Sequence, residues 1–406
     1  MRRYPMLLLF SLYLSQGLPF GFQATALPVY LRTHGRSLET IGFATALSLP
    51  WLLKAFWSPL IDRFWSARVG RRKSWILPLQ ALMVAAIFCA SLLPPEKGIA
   101  PLLILVFLMN LCAATQDIAV DGLAVDILGS RELGPGNAAQ VTGYKAGMIL
   151  GGGVLVWMSS FTGWDGLFAV MAFIALVPMA LLIPLREREL TLSAPIEEPP
   201  SFREIAGRII TALRLPGAGW LILFVGSYKA GETLIDAMFK PFLVDIGFTA
   251  PQIGLWLGTY GMIASLLGSL AGGLAAARLS LTRALLLACA MRMLPLCGEW
   301  ALPYTTPTDA MVIALTLAEH FFGGALTTVM FALMMSRTDR AIGSTHYTIL
   351  ASVEVLGKSP SNFFSGVLAA RLGYGPLFGI GVALSLAVMA IIPMLSRSKP
   401  PAAQAR

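Results

Sequence analysis

Charged side chains are scarce in this chain. Thirty Lys and Arg and 21 Asp and Glu make up 13% of its 406 residues, whereas soluble globular domains carry about 25%. That shortage excludes one or two water-soluble domains, because so apolar a chain could not hide its hydrophobic surface in their cores. Histidine is scarcer still, with His34, His320 and His346 alone. None has a suitable acidic partner nearby in sequence, so an integral membrane acyltransferase or similar enzyme is not expected. The four cysteines, Cys89, Cys112, Cys289 and Cys297, lie inside apolar runs with no metal spacing and no disulfide framework. They read as small buried thiols. No cleavable signal is expected, since Pro28, Tyr30 and Arg32 follow the first apolar run where small residues would mark a cleavage site. A nucleotide-driven pump is excluded too. Gly357-Lys358-Ser359 looks like the end of a phosphate loop, but Ser352 stands where its first glycine is required and Pro360 follows. Energy must then come from an ion gradient or from the solute's own gradient. No cofactor and no metal site are expected.

What is present is hydrophobic length. Hydrophobic residues make up 56% of the chain and its mean hydropathy is +0.74. Crossing a bilayer takes about 20 apolar residues, and twelve runs qualify: 6–31, 38–60, 75–94, 99–128, 139–160, 166–185, 218–244, 250–277, 284–302, 309–335, 348–370 and 376–395. Turn residues punctuate them at Pro94-Pro95, Gly163-Trp164-Asp165, Pro303 and Gly373-Tyr374-Gly375. The net charge of +9 does not signal nucleic acid, because the basic residues sit in short loops between the runs. With Arg2 and Arg3 placed in the cytoplasm, the inner loops hold Arg63, Arg68, Arg71, Arg72, Lys73, Arg131, Arg186, Arg188, Arg203, Arg208, Arg214, Arg278, Arg283, Arg337 and Arg340. The tail adds Arg397, Lys399 and Arg406, and the outer loops hold only Arg32, Arg36, Lys97 and Arg371. That asymmetry places both termini in the cytoplasm, in a multi-pass protein of the bacterial inner membrane.

The longest loop, 186–217, carries Pro195, Pro199 and Pro200, and an amphipathic stretch from Phe202 to Leu215 is expected to lie on the cytoplasmic surface. It separates an N-terminal six-helix bundle, 1–187, from a C-terminal one, 218–406, with 188–217 as linker. The halves are similar at an offset of about 210 residues. Pro28 matches Pro241, Leu31 matches Leu243, and the loop Gly35 to Gly42 reads like Gly247 to Gly254. Lys145 matches Lys358, Gly153-Val154-Leu155 matches Gly366-Val367-Leu368, and Gly163-Trp164 matches Gly373-Tyr374. Two duplicated six-helix halves with a long central loop make an all-α membrane protein of twelve helices, as in major facilitator transporters.

Three motifs resemble the AmpG-like permeases of that superfamily. They are Leu53 to Arg63 (reading Leu-Lys-Ala-Phe-Trp-Ser-Pro-Leu-Ile-Asp-Arg) followed by Gly70-Arg71-Arg72, then Ala114-Thr115-Gln116-Asp117-Ile118-Ala119-Val120-Asp121 ending at Asp126, then Gln16-Gly17-Leu18-Pro19. The group includes AmpG muropeptide permeases, RhtX/FptX siderophore permeases and eukaryotic acetyl-CoA transporters. Ala124 stands where AmpG proper has a basic residue, and AmpG proteins run longer. Both departures bring the chain nearer the compact RhtX/FptX type. The resemblance therefore implies a proton-coupled importer, of a ferric siderophore first. The alternatives are import of anhydro-muropeptides, for cell-wall recycling and β-lactamase induction, or efflux of drugs or metabolites. Expected partners are the solute, protons and the lipid bilayer, with no nucleic acid and a monomeric state.

Ionisable groups inside a membrane helix are costly and so mark function. Asp117 and Asp121 lie four apart on one helix face, where two like charges suit a carboxylate that takes up and releases a proton. The other reading pairs Asp117 with Lys54 or Lys145 as a packing device. Lys229, Glu232, Asp236 and Lys240 form one stripe, Lys240 near the outer end. Glu319-His320 joins Asp117 and Asp121 as a proton-coupling candidate through Glu319, with His320 on the substrate side or structural. Glu354 and Lys358 can pair within one turn, whereas Lys145 has no partner in its own helix and suits an anionic substrate group. Gln16 belongs to a first helix expected to be broken by Gly17, Pro19 and Gly21 so that it lines a cavity. Substrate-side candidates are thus Gln16, Lys145, Lys229, Glu232, Asp236, His320, Glu354 and Lys358. Lys54, Asp62, Arg63, Arg71 and Arg72 are expected to gate the cytoplasmic face. Plain positive-inside anchoring would explain Arg71 and Arg72 but not Asp62.

Overall fold

The computed structural model describes residues 3–27, 31, 47–93, 99–187, 198–248 and 250–395. Pro28, His34, the Gly35–Gly42 side of the repeat, the start of the second expected span, most of the linker and the tail basic residues Arg397, Lys399 and Arg406 lie outside them. So do Arg2, Arg32, Arg36 and Lys97.

Helices run as α1 (Arg3–Gly21), α2 (Leu49–Leu53), α3 (Ser58–Arg63), α4 (Lys73–Ser91), α5 (Ile99–Ile127), α6 (Leu133–Ile149), α7 (Leu155–Leu182) and α8 (Phe202–Arg214). Then come α9 (Ala218–Ser227), α10 (Ala230–Asp245), α11 (Ala250–Ile253), α12 (Gly261–Arg278), α13 (Leu281–Ala301), α14 (Asp309–Ser336), α15 (Gly343–Leu372), α16 (Tyr374–Met389) and α17 (Ile392–Leu395). Each of the twelve expected runs holds helix. Eight helices among the described residues are long and apolar enough to cross a membrane, or nine if the pair Phe202–Arg214 and Ala218–Asp245, bent by 89°, is one span. The runs that miss this test are the second, broken into α2 and α3, and the polar helices α6 and α15. Two expected boundaries move: the fifth run begins at Leu133 and the eleventh at Gly343.

The chain forms two compact units. One comprises Met1–Gly129, Ala139–Ala206 and Arg340–Thr348; the other comprises Ser130–Ala138, Gly207–Asp339 and Ile349–Arg406. The first is built around Leu18, Phe22, Met83, Ile87, Met109 and Phe168. The second is built around Ile235, Phe239, Phe242, Leu296, Leu377 and Phe378. Large apolar side chains also cover the outside. On α12, the small residues Gly261, Ser265, Gly268 and Gly272 face inward while Ile263, Leu267, Leu270 and Leu274 are exposed. A soluble protein does not expose such a stripe; a bilayer accepts it.

The first helix is not broken where expected. Pro19 sits inside α1, which continues into a π-helical turn, Phe22–Ala26. The glycines instead let two backbones meet. A Cβ added to Gly17 or Gly21 would collide with the backbone of α6 at Tyr144 or Met148. One added to Gly143, Gly147 or Gly151 would strike the carbonyls of Phe10, Leu14 or Leu18. This is small-residue packing at four-residue spacing. The repeat shows itself at Gly163 (φ 72°), which kinks α7, and at its counterpart Gly373 (φ 82°), which separates α15 from α16. Both sit in the left-handed region that only glycine enters freely. Of the cysteines, Cys112 and Cys289 are buried as expected, but Cys89 and Cys297 are exposed; all four are free thiols.

Candidate functional site

In the first unit, α5 carries Asp117 and Asp121 into the interior one turn apart, where both are buried. Lys54, in the 3-10 turn after α2, bonds Asp117 directly. Lys54 is thus a partner of Asp117 and not part of the cytoplasmic loop cluster it was expected to join. Its ammonium also stands 5.5 Å from the Trp51 ring, within cation–π range. Trp51, Phe20 and Tyr144 pack edge to face or tilted around the pair, with ring centroids 5.8–6.0 Å apart. Among the described residues the ion pair of Lys54 is with Asp117 and not with Asp121. Asp121 accepts hydrogen bonds from the Tyr13 hydroxyl at 2.6 Å and from Gln140 Nε2 at 3.2 Å. A buried glutamine chain lies beside it: Gln116 donates to Gln80, and Gln80 donates to Ser15 Oγ and to the Ala175 carbonyl, both at 2.6 Å. Gln16 is fully buried, and among the described residues neither amide atom has a hydrogen-bond partner. Lys145 is partly buried on α6.

The loop after α3 forms a second cluster, outside the membrane-spanning segments. Asp62 Oδ1 accepts from Arg71 and from Arg72, each at 2.7 Å. Its Oδ2 accepts from the Thr345 amide at 2.8 Å and hydroxyl at 2.7 Å. Arg72 also donates to Asp126 at 2.8 Å and Ser344 Oγ at 2.7 Å, while Glu187 caps the Arg72 and Lys73 amides at 2.9–3.0 Å. Arg71 holds the Arg340 and Ala341 carbonyls. Burial would raise the Asp62 carboxyl, but Arg72, Arg71 and the Thr345 amide outweigh it and hold the carboxyl below its usual value. Arg72 is fully buried. The simple anchoring reading of Arg71 and Arg72 therefore fails, because an anchoring arginine stays in the headgroup layer. Arg63 is not part of this cluster; its guanidinium lies 5.5 Å over the Phe64 ring.

The second unit holds a further charge cluster. Arg292, in the middle of α13, donates to Glu232 Oε2 at 3.2 Å, bonds the carboxylate and carbonyl of Glu319, and stands 4.0 Å from Asp236. Glu319 also contacts His320 Nδ1, which lies 3.1 Å from the Thr316 carbonyl. The expectation that no histidine has a suitable acidic partner is corrected here. Carboxylate oxygens of Glu232, Asp236 and Glu319 lie within 4.8 Å of one another, and the guanidinium supplies their countercharge. A small cavity of about 20 Å³ adjoins them, lined by Tyr228, Glu232, Cys289, Arg292 and Ser385 among apolar side chains. Beyond it, Lys229 lies 3.7 Å from Glu354, and Lys358 bonds both Glu354 oxygens at 3.1–3.2 Å. Tyr228 donates to Glu354 at 3.3 Å. The charged stripe of α10 therefore serves two clusters, while Lys240 is exposed. Gly357-Lys358-Ser359 is plain helix, with Gly357 packed on the backbone of Gly226.

Sequence reasoning gave no role to the centre of this cluster. Arg292 and Glu299 are both charged residues mid-span, which was the available signal, but neither had a partner in its own turn. Tyr13, Gln80 and Glu187 carried no signal, because a buried hydroxyl, amide or loop carboxylate is recognisable only by what folds against it.

Paired charges on helices that otherwise face lipid, in two similar units, define a membrane transporter of the major facilitator fold. Solved structures agree in fold. A bacterial homologue of the iron transporter ferroportin, in its outward-facing state, superposes with a TM-score of 0.67 at 17% identity, covering 98% of this chain and 100% of that one. The proton:xylose symporter XylE gives 0.69 at 12% identity, with 98% of each covered. The family described as acetyl-coenzyme A transporter 1 matches residues 5–165. The anhydromuropeptide permease of Escherichia coli K12 is 29% identical over 385 residues, 93% of this chain and 77% of that protein. The putative transporter AmpG 4 of Rickettsia conorii is 27% identical over 97% of both chains. The chain is thus similar along most of its length to AmpG-like permeases, and its fold is that of major facilitator transporters.

Proposed function

We propose that this permease imports anhydro-muropeptides across the bacterial inner membrane, driven by protons, as a monomer with both termini in the cytoplasm. The observation that carries this reading is the similarity to the E. coli anhydromuropeptide permease along 93% of the chain. The preference for a ferric siderophore drew on the chain's compact length and on Ala124. The length argument lapses, because the R. conorii relative bearing the AmpG name is equally compact.

The buried groups divide the work. Asp117, Asp121 and Glu319 are the proton-coupling carboxylates. Gln16, Lys145, Lys229, Glu232, Asp236, His320, Glu354 and Lys358 serve the substrate, the lysines meeting the peptide's carboxylates and Gln16 its amides or sugar hydroxyls. Asp62, Arg71 and Arg72, holding the start of α15 at Ser344 and Thr345, form a latch that opens once per transport cycle. The two halves, 1–187 and 218–406, alternate in exposure around the linker 188–217.

The test is uptake of radiolabelled anhydro-muropeptide into cells that lack their own muropeptide permease. Cytoplasmic label restored by this chain, and lost with Asp117→Asn, is the expected result. Uptake of a labelled ferric siderophore instead, or label leaving preloaded cells, would replace the reading by the siderophore or the efflux alternative.

A further inference from the structure

At 13 residues, α8 is too short to cross a bilayer. Ser201 and Glu204 start it by capping each other: the Glu204 amide donates to Ser201 Oγ at 3.2 Å, and the Ser201 amide donates to the Glu204 carboxylate at 2.6 Å. It ends at Arg214, and Gly217, at φ 84°, turns the chain into α9. The bend is 89°, so α8 lies across the direction of the apolar stretch that follows. The first turns of α9 expose Trp220 and Leu223, and a tryptophan at the end of a span marks the level of the lipid headgroups. A helix at right angles to a span, joined to it at that depth, runs along the membrane surface.

Around α8 the side chains sort into sectors at helical spacing. Ile205 is buried and Ile209 half-buried beside it, forming the packed face. Next to that face stand Phe202, Ile210 and Leu213, which are 49%, 49% and 52% exposed. The Phe202 ring meets that of Phe64, also exposed, at 6.1 Å. Beyond this strip come Arg203 and Arg214, about three turns apart and therefore on one line along the helix. Both are exposed, and among the described residues neither enters an ion pair. Arg208 points to the other side of the helix, where it bonds Asp339 at 3.3 Å; that contact fixes how α8 is rotated about its axis. An apolar strip edged by a line of uncompensated guanidiniums matches the boundary of a leaflet, with acyl chains for the strip and phosphates for the arginines. Net charge selects the lipid. A zwitterionic headgroup brings its own cation to its phosphate, so the arginines favour a headgroup that lacks one.

We infer that α8 is a binding site for anionic phospholipid: Phe202, Ile210 and Leu213 enter the acyl edge of the leaflet, and Arg203 and Arg214 hold the headgroup phosphates. The leaflet is the one on the linker's side, which is cytoplasmic in the orientation proposed above. The inference does not depend on which solute is transported.

The test is amide hydrogen exchange of residues 202–214 in the purified full-length protein, in nanodiscs of phosphatidylcholine alone or mixed with phosphatidylglycerol. In the wild type the segment should exchange more slowly in the anionic discs, by about fivefold for each arginine that holds a headgroup. High salt should remove most of that difference. Arg203→Gln/Arg214→Gln should exchange alike in both discs, whereas Arg203→Lys/Arg214→Lys, which keeps the charge, should retain most of the slowing. Exchange in α5 serves as the reference, since an unchanged α5 shows that a variant has kept its fold. Equal exchange of the wild type in the two discs overturns the inference. So does a wild-type difference that persists in Arg203→Gln/Arg214→Gln. Slowing by inorganic phosphate in phosphatidylcholine discs would overturn it in favour of a soluble anion. Protection in detergent that is lost on dilution would give the face to a second copy of the chain instead.

Discussion

The interior of the first unit and that of the second solve the same problem differently. Each must keep ionisable groups inside a bundle whose outer face is apolar. The first does so with a near-balanced set, Lys54 against Asp117, and with neutral donors, Tyr13 and Gln140, on Asp121. The second gathers Glu232, Asp236 and Glu319 around Arg292, with His320 beside Glu319. A balanced pair needs no further partner, whereas a set with surplus negative charge leaves carboxylates that a proton or a cation can still neutralise. The comparison teaches where each unit leaves negative charge in excess: at Asp121 in the first, and among the carboxylates around Arg292 in the second.

The sharpest way to break this contrast is Arg292→Met. It strands Glu232 and Glu319 in the interior and should cost about 3–5 kcal/mol. The deficit should shrink as the pH falls toward about 4, where carboxylates bind protons; thermal unfolding in detergent across pH reads both. Next is Lys54→Met, expected to cost about 3 kcal/mol, with Lys54→Met/Asp117→Asn returning to within about 1 kcal/mol of wild type, because a buried pair removed whole leaves no stranded charge. A double variant as unstable as the single one would show that the first unit is not the balanced case.

Outside the membrane, Asp62→Asn should cost about 2 kcal/mol through its charge-assisted bonds to Arg71 and Arg72. Because Asp62 is held below the unfolded value of about 3.9, its contribution is present above that pH and is lost as the pH falls through the lower, folded value. The variant's melting curve should therefore lose that acid-side decline. The smallest effects compare two glycines: Gly147→Ala at the α1–α6 seam should cost about 1–3 kcal/mol by overpacking. Gly153→Ala, which meets nothing within 4 Å, should stay within about 0.5 kcal/mol.

Much of the fold was legible, because hydrophobic length and loop arginines are properties of single segments. The Gly163 and Gly373 match was legible for the same reason, since a tight break demands glycine wherever it occurs. Helices α6 and α15 were legible only by repetition and spacing, as their polar faces dilute hydropathy. The Lys54–Asp117 pair stood among the readings of Asp117, whereas Arg292 and Glu299 did not receive roles. The partners of Arg292 lie 27 to 60 positions away on other helices, and no periodicity within one helix points across a bundle. The first helix was misjudged for a related reason. Proline and glycine in a span signal either a break or a close neighbour, and the deciding fact, the glycine run at Gly143, Gly147 and Gly151, sits on a different helix.

That glycine seam has a mechanical consequence. Where backbone touches backbone over Gly17, Gly21, Gly143, Gly147 and Gly151, there are no side-chain rotamers to cushion sliding, and every ridge sits in a notch of fixed depth. The two helices behave as one splinted beam. Whatever bends during a working stroke must do so beyond the splint's ends, so disulfide clamps across the seam should be harmless where clamps elsewhere would stall the machine.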